Sequence, residues 1–424
     1  MGSLLFDHNY PCDNFGFLQI CNPYSYLREH SMTSQVAVAN HSGVAVASDT
    51  VTTSYVEGGT KTIGNSHKIW EIGENHKVLV MLSGAITQNG VTLRLLVNEW
   101  ADTIEGPLEN LSDYVDSFIE WMGSENSIHS PESEVHRANS LLNDHYYEVK
   151  KRAQGRWNLI PIEEEQYTSR EAVLTDVAQE GLGYLQGLPL NASVEDDHVF
   201  SQLLNSTEDG LNLKEKVEYI FEGLGLNSVN TQILLDSAPL VLTRAQHFPG
   251  SSTLAFVGFG TKNYFPSNFR LFVRGFYGGK FIYEKGDQYS IHPEGGSGIT
   301  AFAQDEAIFG FVRGIRWEIV NFINEQIAAK INESVDGIGG EDLGQVLADE
   351  IHDELLEFCR RRFTNPLLDS IEGLDLGHLA NLAESLVGME ATSAFGGDGP
   401  ATVGGLVEVA TIDRQKGVSW VKSL

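Results

Sequence analysis

Met32-Thr33-Ser34-Gln35-Val36-Ala37-Val38-Ala39-Asn40 is followed by His41-Ser42-Gly43 and then by Val44-Ala45-Val46-Ala47-Ser48-Asp49. Two short runs rich in Val and Ala, parted by a polar turn carrying Gly43, predict a β-hairpin. β-Branched side chains suit a pleated, half-buried surface, and Gly permits the turn. Thr33 heads the first strand and Asp49 closes the second. A chain beginning at Thr33, through cleavage after Met32 or removal of Met32 as an initiator, presents a hydroxyl and a free α-amine on one residue. Nucleophile and base are then the same amino acid, one of the recognised ways to activate a Thr.

Further along come Lys68-Ile69-Trp70-Glu71-Ile72 and the apolar run Val78-Leu79-Val80-Met81-Leu82 ending in Ser83-Gly84-Ala85. Thr33, Gly43, Asp49, Lys68 and the small-residue turn at 83–85 stand in the order found in proteasome-type N-terminal nucleophile (Ntn) hydrolases, and the chain resembles that family. The resemblance implies an α+β fold of four layers, αββα. It makes Thr33 the nucleophile, with its own amine as base. Lys68 is then the cation beside it, Asp49 the anion that orients Lys68, and Gly84 the oxyanion-hole N–H donor, with Ser83 as the one-residue alternative. The connection from Asp49 to Lys68 is a few residues longer than is usual in that family.

An unperturbed α-amine titrates near ~7.7–8, so it is poised as a base around neutral pH. A buried cation close by lowers that value further, because two positive charges disfavour each other. Taken singly, each residue has a plainer reading: a Thr as β-former, an Asp as turn former, a Lys as a solvated strand edge. Their joint order is what carries the functional one.

The 424 residues include 58 acidic and 28 basic side chains, a net charge of −30. Such a field repels phosphates and anionic head groups, which argues against nucleic-acid or membrane-surface partners. The apolar fraction, 42%, is sufficient for a large core. Cys12, Cys21 and Cys359 have no metal-ligand spacing and form no disulfide framework, so no metal or cofactor is expected and a reducing cytoplasm is the default setting. No run approaches the ~18 apolar residues of a membrane span.

Residues 1–32 read as an irregular leader, a propeptide or the product of a misassigned start, and 33–424 as a single domain. Its core blocks are 33–84, 252–303 and 402–421. Between 85 and 251 the pattern is helical, with starts at Ser130-Pro131-Glu132, Thr168-Ser169-Arg170-Glu171 and Leu213-Lys214-Glu215 and a helix over 228–245. This stretch is far longer than the helical pair of a proteasome subunit at that point and reads as an insertion. Strands return at 252–260, 269–275 and 280–283, helices at 304–332, 341–362 and roughly 373–389, the layer 304–390 as a whole being helical. A hairpin closes the chain over 401–412 and 417–421.

In the same family a Ser-Gly pair returns to the nucleophile, which makes Ser297 of Gly295-Gly296-Ser297-Gly298 a candidate neighbour of Thr33. The family also places an Asp and a Ser just before the Gly pair equivalent to Gly404-Gly405, as supports for the amine. Pro400 and Val403 occupy those positions here, and Asp398 is the available substitute. The expected function is a threonine-type peptidase or amidase acting on a peptide or amide and assembling with copies of itself. The alternatives are an Ntn amidase of small molecules, its cleft walled by the helical insertion, and a catalytically silent scaffold that binds partners.

Overall fold

The computed structural model describes residues 33–56, 59–124, 129–160, 169–205, 211–245, 251–292, 296–334, 341–395 and 403–424. The 1–32 leader, Asp398 and Pro400 lie outside the described residues. The chain is mixed α and β, and its sheets are antiparallel.

The opening hairpin forms as its residues predict. Strand β1 (Gln35–Asn40) pairs with β2 (Gly43–Asp49), Gln35 opposite Ser48 and Asn40 opposite Gly43. Gly43 has φ +144°, and a Cβ there would stand 2.4 Å from the Ile412 carbonyl oxygen, so only Gly fits the turn. The long connection to Lys68 is a second hairpin, β3 (Val51–Val56) with β4 (Gly59–Asn65). Next come β5 (Ile69–Glu71), β6 (Lys77–Gly84) and a short hairpin of β7 (Thr87–Gln88) and β8 (Val91–Thr92).

Helices α1 (Leu93–Asp102) and α2 (Leu111–Ser124) follow, then α3 (Pro131–Leu159), α4 (Arg170–Gly187), α5 (Ser201–Asn205), α6 (Leu213–Ile220) and α7 (Ser228–Thr243). The predicted starts are realised by local capping. Ser130 and Ser133 form a reciprocal capping box on α3, and Ser169 and Asn212 cap α4 and α6.

Strands β9 (Ser252–Phe259), β10 (Ser267–Tyr277), β11 (Lys280–Ser290) and β12 (Gly298–Ala301) come next. The helix expected over 304–332 is two, α8 (Glu306–Arg313) and α9 (Trp317–Ser334), because Gly314 ends α8 in the left-handed conformation at φ +75°. Helix α10 (Glu341–Cys359) runs through one wide turn, Arg360–Thr364, into α11 (Asn365–Glu372), and α12 (Leu376–Phe395) precedes the closing hairpin of β13 (Val407–Asp413) and β14 (Gly417–Lys422).

These strands form two five-stranded antiparallel sheets. One has the order β12-β1-β2-β13-β14 and the other β11-β10-β9-β6-β5. Alternation of side chains gives each sheet two apolar faces. Ala37, Val44 and Val46 of the first sheet pack against Leu79, Met81 and Val257 of the second. On the outer face of the first sheet, Val36, Val38 and Ala47 meet Ile308, Leu379 and Ala383 from α8 and α12. On the outer face of the second, Val80 and Phe256 meet Leu96, Trp100, Tyr114 and Phe118 from α1 and α2. The helical stretch 85–251 therefore serves two purposes. Helices α1 and α2 cover a sheet, while α3–α7 build a separate core around Leu141, Tyr146, Val177 and Val241 that reaches the sheet through Tyr277 and Ile282.

Candidate active site

Antiparallel pairing brings Thr33, just before β1, and Asp49, the last residue of β2, to one end of the first hairpin. Lys68, just before β5, reaches the same end because its carbonyl accepts the Leu82 N–H at 3.0 Å, holding it beside the end of β6. There the Lys68 ammonium donates to both Thr33 Oγ1 and Asp49 Oδ1, each at 2.9 Å. Asp49 has no solvent exposure. Its Oδ1 also accepts the Ser34 N–H at 3.0 Å, and its Oδ2 accepts the Gly404 N–H at 3.2 Å. Thr33 is 6% exposed and its carbonyl accepts the Gln304 N–H at 2.9 Å, which fixes the backbone from which its hydroxyl projects.

Burial dominates the electrostatics of this pair. It lowers the Lys68 pKa from the usual ammonium value, with Asp49 and then Glu408 opposing. It raises the Asp49 carboxyl above the usual carboxylate range, against the Lys68 charge and the N–H groups of Ser34 and Gly404. Both shifts favour the neutral forms, as desolvation requires. An ammonium of lowered pKa is a stronger hydrogen-bond donor to Thr33 Oγ1 than a solvated one, and it stabilises negative charge developing on that oxygen.

Gly84 ends β6 at φ +81°, where a Cβ would lie 2.3 Å from the Ser251 carbonyl oxygen, so no other residue fits. The end of β6 is tied to the first sheet at two points: Gln35 Nε2 of β1 donates to the Leu82 carbonyl at 2.8 Å, and Ser83 Oγ donates to the carbonyl of Phe302, just past β12, at 3.5 Å. Ser83 and Gly84 follow directly on Leu82, the residue that the Gln35 side chain reaches.

Ser297 is not a neighbour of Thr33. Strand β12 runs antiparallel to β1 with Gly298 opposite Ala39 and Ala301 opposite Val36, so Gly296-Ser297 enters at the end of β1 remote from Thr33. Its hydroxyl donates instead to the Leu368 carbonyl at 2.6 Å, a structural contact with α11. The β12 side of Thr33 is formed by Phe302 and Gln304, whose N–H groups bond Gln35 and Thr33. Asp398 lies outside the described residues. Val403 is buried, and the Gly pair after it supports Asp49 through the Gly404 backbone.

Two groups at the site escape a reading of the sequence. Gln35 reads there only as a strand residue, yet its side chain bridges the sheets and also donates to Ser48 Oγ at 3.2 Å. Glu408, 1% exposed, accepts the Lys68 N–H at 3.0 Å through Oε2 and bonds His67 Nδ1 through Oε1. An acid inside the apolar run Val407-Glu408-Val409-Ala410 is the signal that could have found it.

Among the described residues, no group of three or more His, Cys, Asp or Glu side chains is disposed to hold a metal ion, and no helix is long and apolar enough to cross a membrane. Comparison of the chain with protein-family models and with curated proteins finds no match.

Proposed function

We propose that the chain is a proteasome-like Ntn hydrolase that cleaves amide bonds through Thr33, in an αββα sandwich of the Ntn type. The observation that carries this reading is the position of one buried ammonium, Lys68 Nζ, 2.9 Å from both the Thr33 hydroxyl and the Asp49 carboxylate. These three residues come from separate strands or connections, and two packed antiparallel sheets between helices supply the frame in which they meet.

In the proposed reaction the α-amine of a terminal Thr33 takes the hydroxyl proton as Oγ1 attacks the substrate carbonyl carbon. Negative charge passes to the carbonyl oxygen, which the backbone N–H at Gly84 receives. Collapse of the tetrahedral intermediate breaks the C–N bond. The amine's proton goes to the leaving nitrogen, and an ester on Thr33 remains. Water, deprotonated by the same α-amine, then hydrolyses that ester and restores the hydroxyl. Lys68 keeps the α-amine unprotonated by charge repulsion and steadies the oxygen, while Asp49 holds Lys68 in place.

A peptide or other amide is the proposed substrate and the cytoplasm the proposed setting. Self-assembly is proposed as well, in keeping with Phe322 and Phe358, 61% and 54% exposed on α9 and α10.

The test is the amino terminus of purified material, read by intact mass, together with labelling by a peptide epoxyketone that reacts with both groups of an N-terminal Thr. The expected species begins at Thr33, is labelled, and hydrolyses fluorogenic peptides, and Thr33→Ala loses labelling and hydrolysis together. Hydrolysis that persists in Thr33→Ala, or in chains still joined to residues before Thr33, defeats the proposal.

A further inference from the structure

Glu408 is a charged side chain placed where an apolar one would be expected, in the second position of β13 with 1% exposure. A buried carboxylate persists where it is paired and hydrogen-bonded. Both of its oxygens turn to consecutive residues of the β4–β5 connection, Oε2 to the Lys68 N–H at 3.0 Å and Oε1 to His67 Nδ1. The β2–β13 ladder sets Val407 opposite Asp49 and Glu408 opposite Ser48, so the two carboxylates approach Lys68 from adjacent strands. Asp49 takes the ammonium and Glu408 the backbone of the same residue. The side chain of His67 is 37% exposed and gives this buried carboxylate its one route toward solvent among the described contacts.

We propose that Glu408 is a positioning residue for Lys68, fixing the 67–68 peptide and supplying a second negative charge that keeps the Lys68 ammonium protonated, with His67 as the solvent-facing partner that shares that charge. A positive charge at position 67, in contact with Oε1, would draw the carboxylate's charge away from Lys68. Among the described residues, the groups in contact with this carboxylate are His67 and Lys68 of one connection, while Asp49 acts on the same Lys68 from the end of β2. The direction agrees with the balance at Lys68, where burial lowers the pKa and the Glu408 charge raises it.

The catalytic consequence rests on the reading of Thr33 as nucleophile, while the electrostatic link from Glu408 to Lys68 is measurable without turnover. In protein labelled with 15N at lysine side chains, the Lys68 ammonium, assigned by its loss in Lys68→Arg, is titrated by NMR in the parent and in Glu408→Gln. Gln retains an oxygen for the Lys68 N–H and removes the charge. The expected result is a Lys68 midpoint lower by about half a pH unit or more. In turnover, the alkaline limb moves down by the same amount and kcat falls about 3- to 10-fold at unchanged KM.

His67→Arg, at a partly exposed position, is the second variant. It sets a permanent cation against Glu408 and should also lower the Lys68 midpoint. An unmoved Lys68 midpoint in Glu408→Gln, or in His67→Arg, overturns the inference, and the second variant decides it alone where the first does not fold. Absence of hydrolysis in the parent counts against the Thr33 reading and leaves the Lys68 titration to judge this one.

Discussion

Replacing Asp49 by Asn changes one atom of a side chain that has no solvent exposure, and its consequences follow from three donors. The amide oxygen of the new side chain can still accept the Ser34 N–H and face Lys68 Nζ. Its NH2 group then meets the Gly404 N–H at a position where the carboxylate accepted at 3.2 Å, donor against donor. Breaking a buried pair by removing one partner costs about 3–5 kcal/mol. An orphaned buried N–H costs about 1–3 kcal/mol, and because the two losses share one site they do not add in full.

Lys68 limits the damage by releasing its proton, since burial has already lowered its pKa and Asp49, the main opposing charge, is gone. The expected loss at pH 7 is therefore about 3–4 kcal/mol. In the variant the folded-state pKa of Lys68 lies below its unfolded value of ~10.4, so between the two the unfolded chain binds more protons and stability rises with pH. Urea unfolding followed by far-UV circular dichroism at pH 7 and pH 9 should show the Asp49→Asn protein approaching the parent at the higher pH. The double variant Asp49→Asn/Lys68→Met, which removes both members of the buried Lys68–Asp49 pair and leaves Glu408 with its His67 and backbone partners, should recover most of the loss at pH 7 while lacking the proposed peptide hydrolysis. An Asp49→Asn protein within about 1 kcal/mol of the parent at pH 7, with no gain from the second substitution, would refute the view of Lys68 as a buried cation dependent on Asp49.

Ser297→Ala should cost about 1 kcal/mol through the lost bond to the Leu368 carbonyl and leave the proposed peptide hydrolysis within about twofold of the parent. A kinetic loss larger than about tenfold at equal stability would return Ser297 to the site. Glu390 of α12 accepts the N–H groups of Ala307 and Ile308 at the start of α8, and its pKa is pushed up to about 7, first by burial and then by Asp305 and Glu306. A folded pKa above the unfolded one gives stability that is complete below about pH 4.5 and is lost as pH rises through 7, on the order of 3 kcal/mol. Glu390→Gln should remove that slope, and parallel slopes for parent and variant between pH 5 and 8 would exclude Glu390 as its source.

The parts of the fold and site that were legible in the sequence are those governed by local chemistry. Alternation and Gly43 mark the first hairpin, Ser130-Pro131-Glu132, Ser169-Arg170-Glu171 and Leu213-Lys214-Glu215 mark helix starts, and both kinds of signal are settled within a few residues of chain. Thr33, Asp49 and Lys68 stand out by their order along the chain, and they meet because antiparallel pairing of β1 with β2 and of β5 with β6 delivers all three to one end of the sheets. Ser297 shows where such reasoning stops. A Gly-rich turn reveals that a strand begins, but the end of its neighbour at which it begins depends on strand direction and register, which are tertiary facts: Gly298 opposite Ala39 puts the serine at the wrong end. Glu408 was hidden for the complementary reason. Its significance lies in what fills the space beside β13, and only the packed connection at His67-Lys68 explains why a carboxylate is tolerated there. The helix expected over 304–332 divides at Gly314, whose left-handed backbone ends α8, and helical periodicity does not tell which of Gly310 and Gly314 takes that conformation.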